Sequence, residues 1–378
     1  MMDARFHRYI AHLVLALFWL HTPVASAAEE YIRIQDYIAQ NPAQTPLMED
    51  FSRKVHQPAS PLESAQQRPA KIAIIYPGLQ SSDYWHRSLT SFEHRLKNTG
   101  LQYELKTFLS RPSIDAPLQS QQLNEALKWQ PDYLVFTLET VRQRRLIEQV
   151  LAKGTPKLIL QNITTPLADW QSHRPFLYVG FDHAQGTRLL ADWMLKKTNY
   201  QANYLMLYFS PGYISKMRGD TFANEAARYP GVRQVAQYFT NGNRDKAYKA
   251  TIRALRKHPQ INMIYANSTD IALGALQALK EQNLEDKILL NGWGGGSSEL
   301  EALQAGGLNV TVMRMNDDNG VAMAEAIKLD IEGKPSAVPH IFAGHIKLLH
   351  NQTSATDIRQ LTREAFRLSD LDKDKDTH

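Results

Sequence analysis

Gln80, Ser82 and Trp85 share the run YPGLQSSDYW, and Asn162 follows the apolar stretch LILQ. Farther along come Arg218, the trio Ser268, Thr269 and Asp270, then Trp293 within a Gly292-Trp293-Gly294-Gly295-Gly296 segment, and finally Arg314 inside VTVMRM. Amides, hydroxyls and indoles together suit a polyol or sugar-like ring: indoles cover its apolar face and polar groups satisfy its hydroxyls. Two arginines exceed what a neutral sugar requires. If both point inward, they favour an anionic ligand through charge-assisted hydrogen bonds.

Each residue also has a plainer use. Trp85 lies on a helical stripe with Leu89 and Phe92, which suits core packing. Thr269 and Asp270 can cap the helix that follows them. Arg218 and Arg314 can be surface residues, although Val312 and Met315 surround Arg314 with apolar neighbours. Trp293 is harder to explain away, because flanking glycines leave the indole open to a cleft.

Several chemistries are excluded. The sequence has no cysteine, which removes disulfides, thiol catalysis, thiolate metal sites and an acylated lipoprotein cysteine. The glycine-rich segment has the wrong spacing for a dinucleotide fingerprint and comes too late in the chain. No nucleophile elbow or phosphate loop occurs. His340, His345 and His350 recur every five residues around an expected strand, so neighbours point to opposite faces and do not share a metal. A hydrolase built on Asp270, or on the adjacent Asp317 and Asp318, is a poor fit, since acids at a helix start suit capping. The expectation is a binding protein, not an enzyme, with no cofactor and no metal.

The formal charge is +5, spread along the chain. Its densest basic cluster, Arg142, Arg144 and Arg145, lacks flanking aromatics and reads as a solvated helix face, with no nucleic-acid role. Residues 1–27 order a basic start, an apolar run from Ile10 to Leu20 and a small-residue stretch, which is the pattern of a cleaved secretory signal. That apolar run falls short of the ~20 residues of a spanning helix, so direct membrane insertion is not expected. Export without cysteine suggests the periplasm.

The elements that must position these residues follow from hydrophobic patterning. Residues 28–70 are polar and proline-punctuated, an arm packed on the surface. From Lys71, β-rich runs alternate with stretches of helical apolar spacing. Strands are expected at 72–76, 103–108, 133–137, 158–161, 177–181, 204–209, 232–239, 263–266, 288–291 and 310–314. One helix carries Trp85, Leu89, Phe92 and Leu96 and stops at Gly100; another begins at Asp317 or Asp318 as N-cap and ends at Gly333. Such alternation implies parallel sheets with right-handed crossovers. The units exceed one ordinary sheet, so the expected fold class is α/β: two doubly wound parallel-sheet lobes joined by a multi-strand hinge. The first lobe takes 71–179 and 317–340, the second 180–316 and 341–368, and 369–378 form a polar tail whose DLDKD run only begins to look like a calcium loop. Ligands of such sheets sit beyond the carboxyl ends of the strands, which is where the residues above fall.

The stretches YPGLQSSDYW, LILQNITTP, FLYVGFDHAQGTR, YFSPGYISKMRGDTF, IYANSTDIALGALQAL, LLNGWGGG and VTVMRMNDDNGVAMAEAIK resemble the periplasmic type I sugar-binding proteins. Within that family they are most similar to the LuxP group, receptors for the quorum-sensing signal autoinducer-2. The resemblance runs from about Lys71 to Lys334. It implies a furanosyl borate diester as ligand, with boron present only as part of that ligand. Implied contacts are Gln80, Ser82, Trp85 and Asn162 from the first lobe and Arg218, Ser268, Thr269, Asp270, Trp293 and Arg314 from the second. It also implies a partner, the periplasmic domain of a membrane sensor histidine kinase of the LuxQ type. The competing expectation is a ribose- or galactose-type receptor for an ABC transporter, which needs the same fold.

Overall fold

Apolar runs buried on both faces become inner strands of parallel sheets, and the alternation beginning at Lys71 does so twice. The computed structural model describes residues 30–371, apart from 139, 140 and 171. The secretory signal expected over 1–27 lies outside the described residues.

The first sheet contains β1 (Ala70–Tyr76), β2 (Tyr103–Leu109), β3 (Tyr133–Thr137), β4 (Lys157–Gln161), β5 (Leu177–Phe181) and, much later, β11 (Ile341–Gly344). All are parallel, in the order β11-β5-β4-β3-β1-β2. In the second lobe β6 (Ala202–Tyr208), β7 (Val232–Phe239), β8 (Met263–Ala266) and β9 (Leu289–Leu290) run parallel in the order β7-β6-β8-β9. Parallel bridges Asn291–Val310 and Gly294–Met313 extend this sheet to β10 (Val310–Arg314), which pairs antiparallel with β12 (Ile346–His350).

The chain passes between lobes at three places: after β5, after β10, and at His345 between β11 and β12. The last crossing corrects the expected boundary. Residues 341–344 belong to the first lobe, because β11 extends its sheet along β5. Two of the crossings are tied together where Met315 N–H donates to His345 O at 3.0 Å.

The N-terminal arm is more than a surface strap. Its helix Gln44–His56 places Phe51 and Val55, both fully buried, in the core with Phe342 of β11. Glu30 reaches both lobes, accepting from Arg144 at 3.0 Å and from Lys216 at 2.6 Å. Arg144, expected on a solvated face, therefore belongs to an ion-pair network that also includes Glu148 and Asp169.

Two further expectations change at the C-terminus. Asp317 and Asp318 do not cap their helix, Asp317–Ile331, whose N-cap Asn316 is already helical and makes no side-chain cap bond. They anchor a returning chain instead: Asp317 Oδ2 accepts from Leu368 N and Ser369 N at 2.7 and 2.8 Å, and Asp318 Oδ1 accepts from Arg367 at 2.5 Å. The tail is consequently docked as far as Ser369 and Asp370, which bond to Arg87. Residues 372–374 of the calcium-like run lie outside the described residues. Gly320 permits the close crossing of this helix over Tyr84–Asn98, since a Cβ there would come within 2.4 Å of Ser88 O.

Candidate ligand-binding site

The loops after β1, β4, β6, β8 and β10 meet between the lobes around a cavity of 40 Å³. Gln80, Ser82, Trp85, Asn162, Arg218, Ser268, Thr269 and Arg314 line it, together with Tyr84, Phe209 and Ile214. A single water needs roughly 10–15 Å³ by a comparable measure, so the space is small and the lobes are drawn together. Contacts across the gap hold this state. Ser81 N–H donates to Asp270 Oδ1 at 3.1 Å, Ser297 Oγ donates to Asp83 Oδ2 at 2.9 Å, and Ser113 and Ser210 hydroxyls meet at 3.0 Å.

Local folding explains each placement. Asn162 leaves β4 with φ of 65°, a left-handed conformation that asparagine tolerates, and this turns its side chain away from the strand's line. Arg218 sits in a π-helical turn, Ser215–Asp220, of the kind that recurs at functional sites. The neighbouring Gly219 lets that turn lie on Tyr208, where a Cβ would approach to 2.1 Å. Arg314 is the last residue of β10, so the strand's carboxyl end delivers it to the cleft.

The two arginines define the electrostatics. They are 4% and 5% exposed, and among the described residues neither meets a carboxylate at ion-pair distance. Arg218 Nε donates to His183 Nδ1 and Nη1 to Asn267 O, each at 2.8 Å, while its guanidinium lies 3.5 Å over the Trp293 ring. Arg314 lies 4.1 Å over the Tyr84 ring. Burial, and then the Arg314 charge, push the Arg218 pKa well down; burial lowers that of Arg314. Arginine nonetheless stays protonated in proteins, so two charges are held where a negative partner would relieve them.

His183 is driven well below its ordinary pKa by burial and by both arginines. It is therefore neutral, with Nε2–H donating to Asn162 O at 3.1 Å and Nδ1 accepting from Arg218. One imidazole thus ties Asn162 of the first lobe to Arg218 of the second. Two polar atoms of cavity-lining residues, Asn162 Oδ1 and Ser268 Oγ, are buried without a hydrogen-bond partner. Buried polar atoms are rarely left so unless a ligand or water meets them.

Two residues expected at the ligand do not line the cavity. Trp293 is 1% exposed, stacked on His183 at 5.1 Å, with Nε1–H donating to Thr187 Oγ1; it is the platform beneath Arg218. Asp270 neither caps its helix nor borders the cavity, and serves as the latch to Ser81. Trp85 is both core and lining, packed against Tyr76 and Tyr84. Sequence reasoning missed Tyr84 and His183. Tyr84 stands beside Trp85 in the same first turn of the helix Tyr84–Asn98, and its hydroxyl is fixed by Asn319 Nδ2 at 2.7 Å, a partner far away in sequence.

The periplasmic binding protein domain model matches residues 72–335. The chain belongs to that family. Its members are substrate-binding proteins, not enzymes, and membership implies a periplasmic setting. The D-apiose import binding protein of Paraburkholderia graminis is 22% identical over 211 residues, 50% of this chain and 67% of that protein. The ribose import binding protein of Salmonella typhimurium is 23% identical over 158 residues, 42% of this chain and 53% of that protein, so the match spans about half of this relative's length. The fructose-binding periplasmic domain of a hybrid two-component system superimposes with a TM-score of 0.68 at 19% identity, covering 82% of this chain and 98% of that one. At such identity the likeness establishes a shared fold.

Proposed function

We propose that this periplasmic binding protein is a receptor of the LuxP type for autoinducer-2, taken as its furanosyl borate diester. The observation that carries the reading is the pair of buried arginines without carboxylate partners among the described residues, at a cavity otherwise lined by amides, hydroxyls, aromatic rings and Ile214. A tetrahedral borate carries one negative charge and offers oxygens to both guanidinium groups. Charge-assisted bonds of this kind are about twice as strong as neutral ones. A neutral pentose would leave two desolvated cations uncompensated, at several kcal/mol per ion. The unpartnered Asn162 Oδ1 and Ser268 Oγ are suited to the ligand's hydroxyls.

The output proposed is regulation of a membrane sensor kinase of the LuxQ type through hinge closure, driven by the ligand's preference for the closed lobes. The likeness to a sugar-binding domain of a two-component system supports this fold as a sensor input. A second reading, a receptor for sugar import, is favoured by relatives named for D-apiose and ribose import. Protein purified from signal-producing cells separates the two. Boron-11 NMR and mass spectrometry of the released ligand should show one boron per protein, whereas release of an unborated pentose would transfer the assignment to the second reading.

A further inference from the structure

Histidines at 340, 345 and 350 are sent to different places by the fold. His340 Nδ1 meets the Tyr37 hydroxyl at 2.6 Å, and His350 stacks on Trp193. His345, at the hinge crossing between β11 and β12, faces a residue from the N-terminal arm instead. Its ring stacks on that of His56, with centroids 5.2 Å apart and planes at 22°. Asp318 completes the group, its Oδ2 lying 3.2 Å from His56 Nε2. One potential ligand atom from each of the three residues lies within 4.8 Å of the others.

The hydrogen bonding around this group is organised for a cation. Asp318 is fully buried; its Oδ1 is taken by Arg367, while its Oδ2 is left to His56 Nε2 at 3.2 Å. His56 Nδ1 lies 2.7 Å from the carbonyl of Ser52, so Nδ1 carries a hydrogen, and in the neutral ring the Nε2 lone pair is turned toward Asp318 Oδ2. Metal-binding histidines are oriented by the same kind of backbone acceptor. A lone pair facing a carboxylate oxygen is tolerable only if a cation lies between them, either a proton or a metal ion. Both rings are exposed, which leaves a path from solvent.

We propose that His56, Asp318 and His345 bind a divalent first-row transition ion of the zinc type, fastening the N-terminal arm and the helix Asp317–Ile331 to the hinge. Two imidazoles and a carboxylate suit zinc, copper or nickel, whereas calcium and magnesium prefer all-oxygen sites. Three protein ligands leave a position for water. Tetrahedral zinc spaces its nitrogen and oxygen ligands by roughly 3.3 Å, so the exposed rings must close in by on the order of 1 Å. The Arg367 charge lies on the opposite carboxylate oxygen and neutralises part of the site, leaving the imidazoles to provide most of the affinity.

The test is calorimetric titration of the untagged mature protein with zinc chloride, beside His56→Ala and His345→Ala. Both rings are exposed, and unchanged unfolding midpoints in chelator would establish that the variants fold. The expected result is one zinc equivalent, at least about 30-fold weaker in each variant, with no uptake of calcium. Cobalt in place of zinc should give the visible absorption of a low-coordinate nitrogen and oxygen site, lost in both variants. Absence of saturable zinc uptake would mean that a proton alone joins His56 to Asp318 and would overturn the proposal. Uptake unchanged in both variants, or equal affinity for calcium, would overturn it as well.

Discussion

Among the described residues four arginines are buried to the same degree, and they fall into two pairs with opposite surroundings. Arg87 and Arg95, 4% and 5% exposed, each meet a carboxylate: Arg87 pairs with Asp83 at 2.6 Å and Asp370 at 2.9 Å, and Arg95 with Glu325 at 2.6 Å. Arg218 and Arg314, 4% and 5% exposed, have carbonyl, imidazole and aromatic neighbours but no carboxylate. Burial opposes the charge on Arg87, but Asp83 and Asp370 outweigh it and hold its pKa above the ordinary value, whereas those of Arg218 and Arg314 are lowered. Burial alone therefore does not mark a functional arginine. What marks it is burial without compensation, which costs stability and persists where a ligand restores the balance.

The contrast can be broken most forcefully at Arg95. Arg95→Ala should lower the unfolding free energy by about 3–5 kcal/mol in a denaturant titration, because Glu325 is left buried and unpaired. Arg314→Met should do the reverse. Stability holds or rises as a repelled charge disappears, while ligand affinity measured by calorimetry falls by about 1.5–3 kcal/mol, the scale of a hydrogen bond to a charged group. A loss of stability in Arg314→Met comparable to that in Arg95→Ala would erase the distinction between the pairs.

A half-buried histidine adds a pH dependence to stability. His340 has its pKa lowered to about 4, first by burial and then by Arg174. Its folded pKa lies below the unfolded value near 6.5, so the unfolded chain binds the extra proton between them; stability is complete above about 6.5 and declines as pH falls toward 4. His340→Gln should flatten that decline by about 1–2 kcal/mol, the shift being discounted for partial exposure. Denaturant midpoints at pH 7 and pH 4.5 provide the check. The smallest effect is expected at the latch. Asp270→Ala removes the bond from Ser81 and should weaken ligand binding by about 1 kcal/mol, by favouring open lobes and without touching the cavity wall.

Much of the fold was legible. β3, β5, β8 and β10 occur where apolar β-rich runs placed them, because strands buried on both faces leave a dense signature, and β7, a half-exposed edge strand, also falls where its β-rich run placed it. Loop chemistry at the strand ends was legible for the same reason, since a doubly wound lobe fixes where those ends point. What depended on contacts distant in sequence was not. Trp293 reads as a ligand platform until His183, 110 positions earlier, is found stacked beneath it. Asp317 and Asp318 read as caps until the returning 367–369 segment is found bonded to them. Phe51 and Val55 sit in a polar, proline-rich stretch whose composition conceals a core helix.

Two uncompensated arginines that select a borate anion should make ligand affinity depend on boron. The decisive quantity is the dissociation constant of the autoinducer-2 precursor, measured by calorimetry in borate-depleted buffer and again with borate added. Binding should be at least about tenfold tighter with borate, or about 1.4 kcal/mol. Equal affinity in the two buffers, or ribose binding as tightly as the borated signal, would remove the role assigned to Arg218 and Arg314.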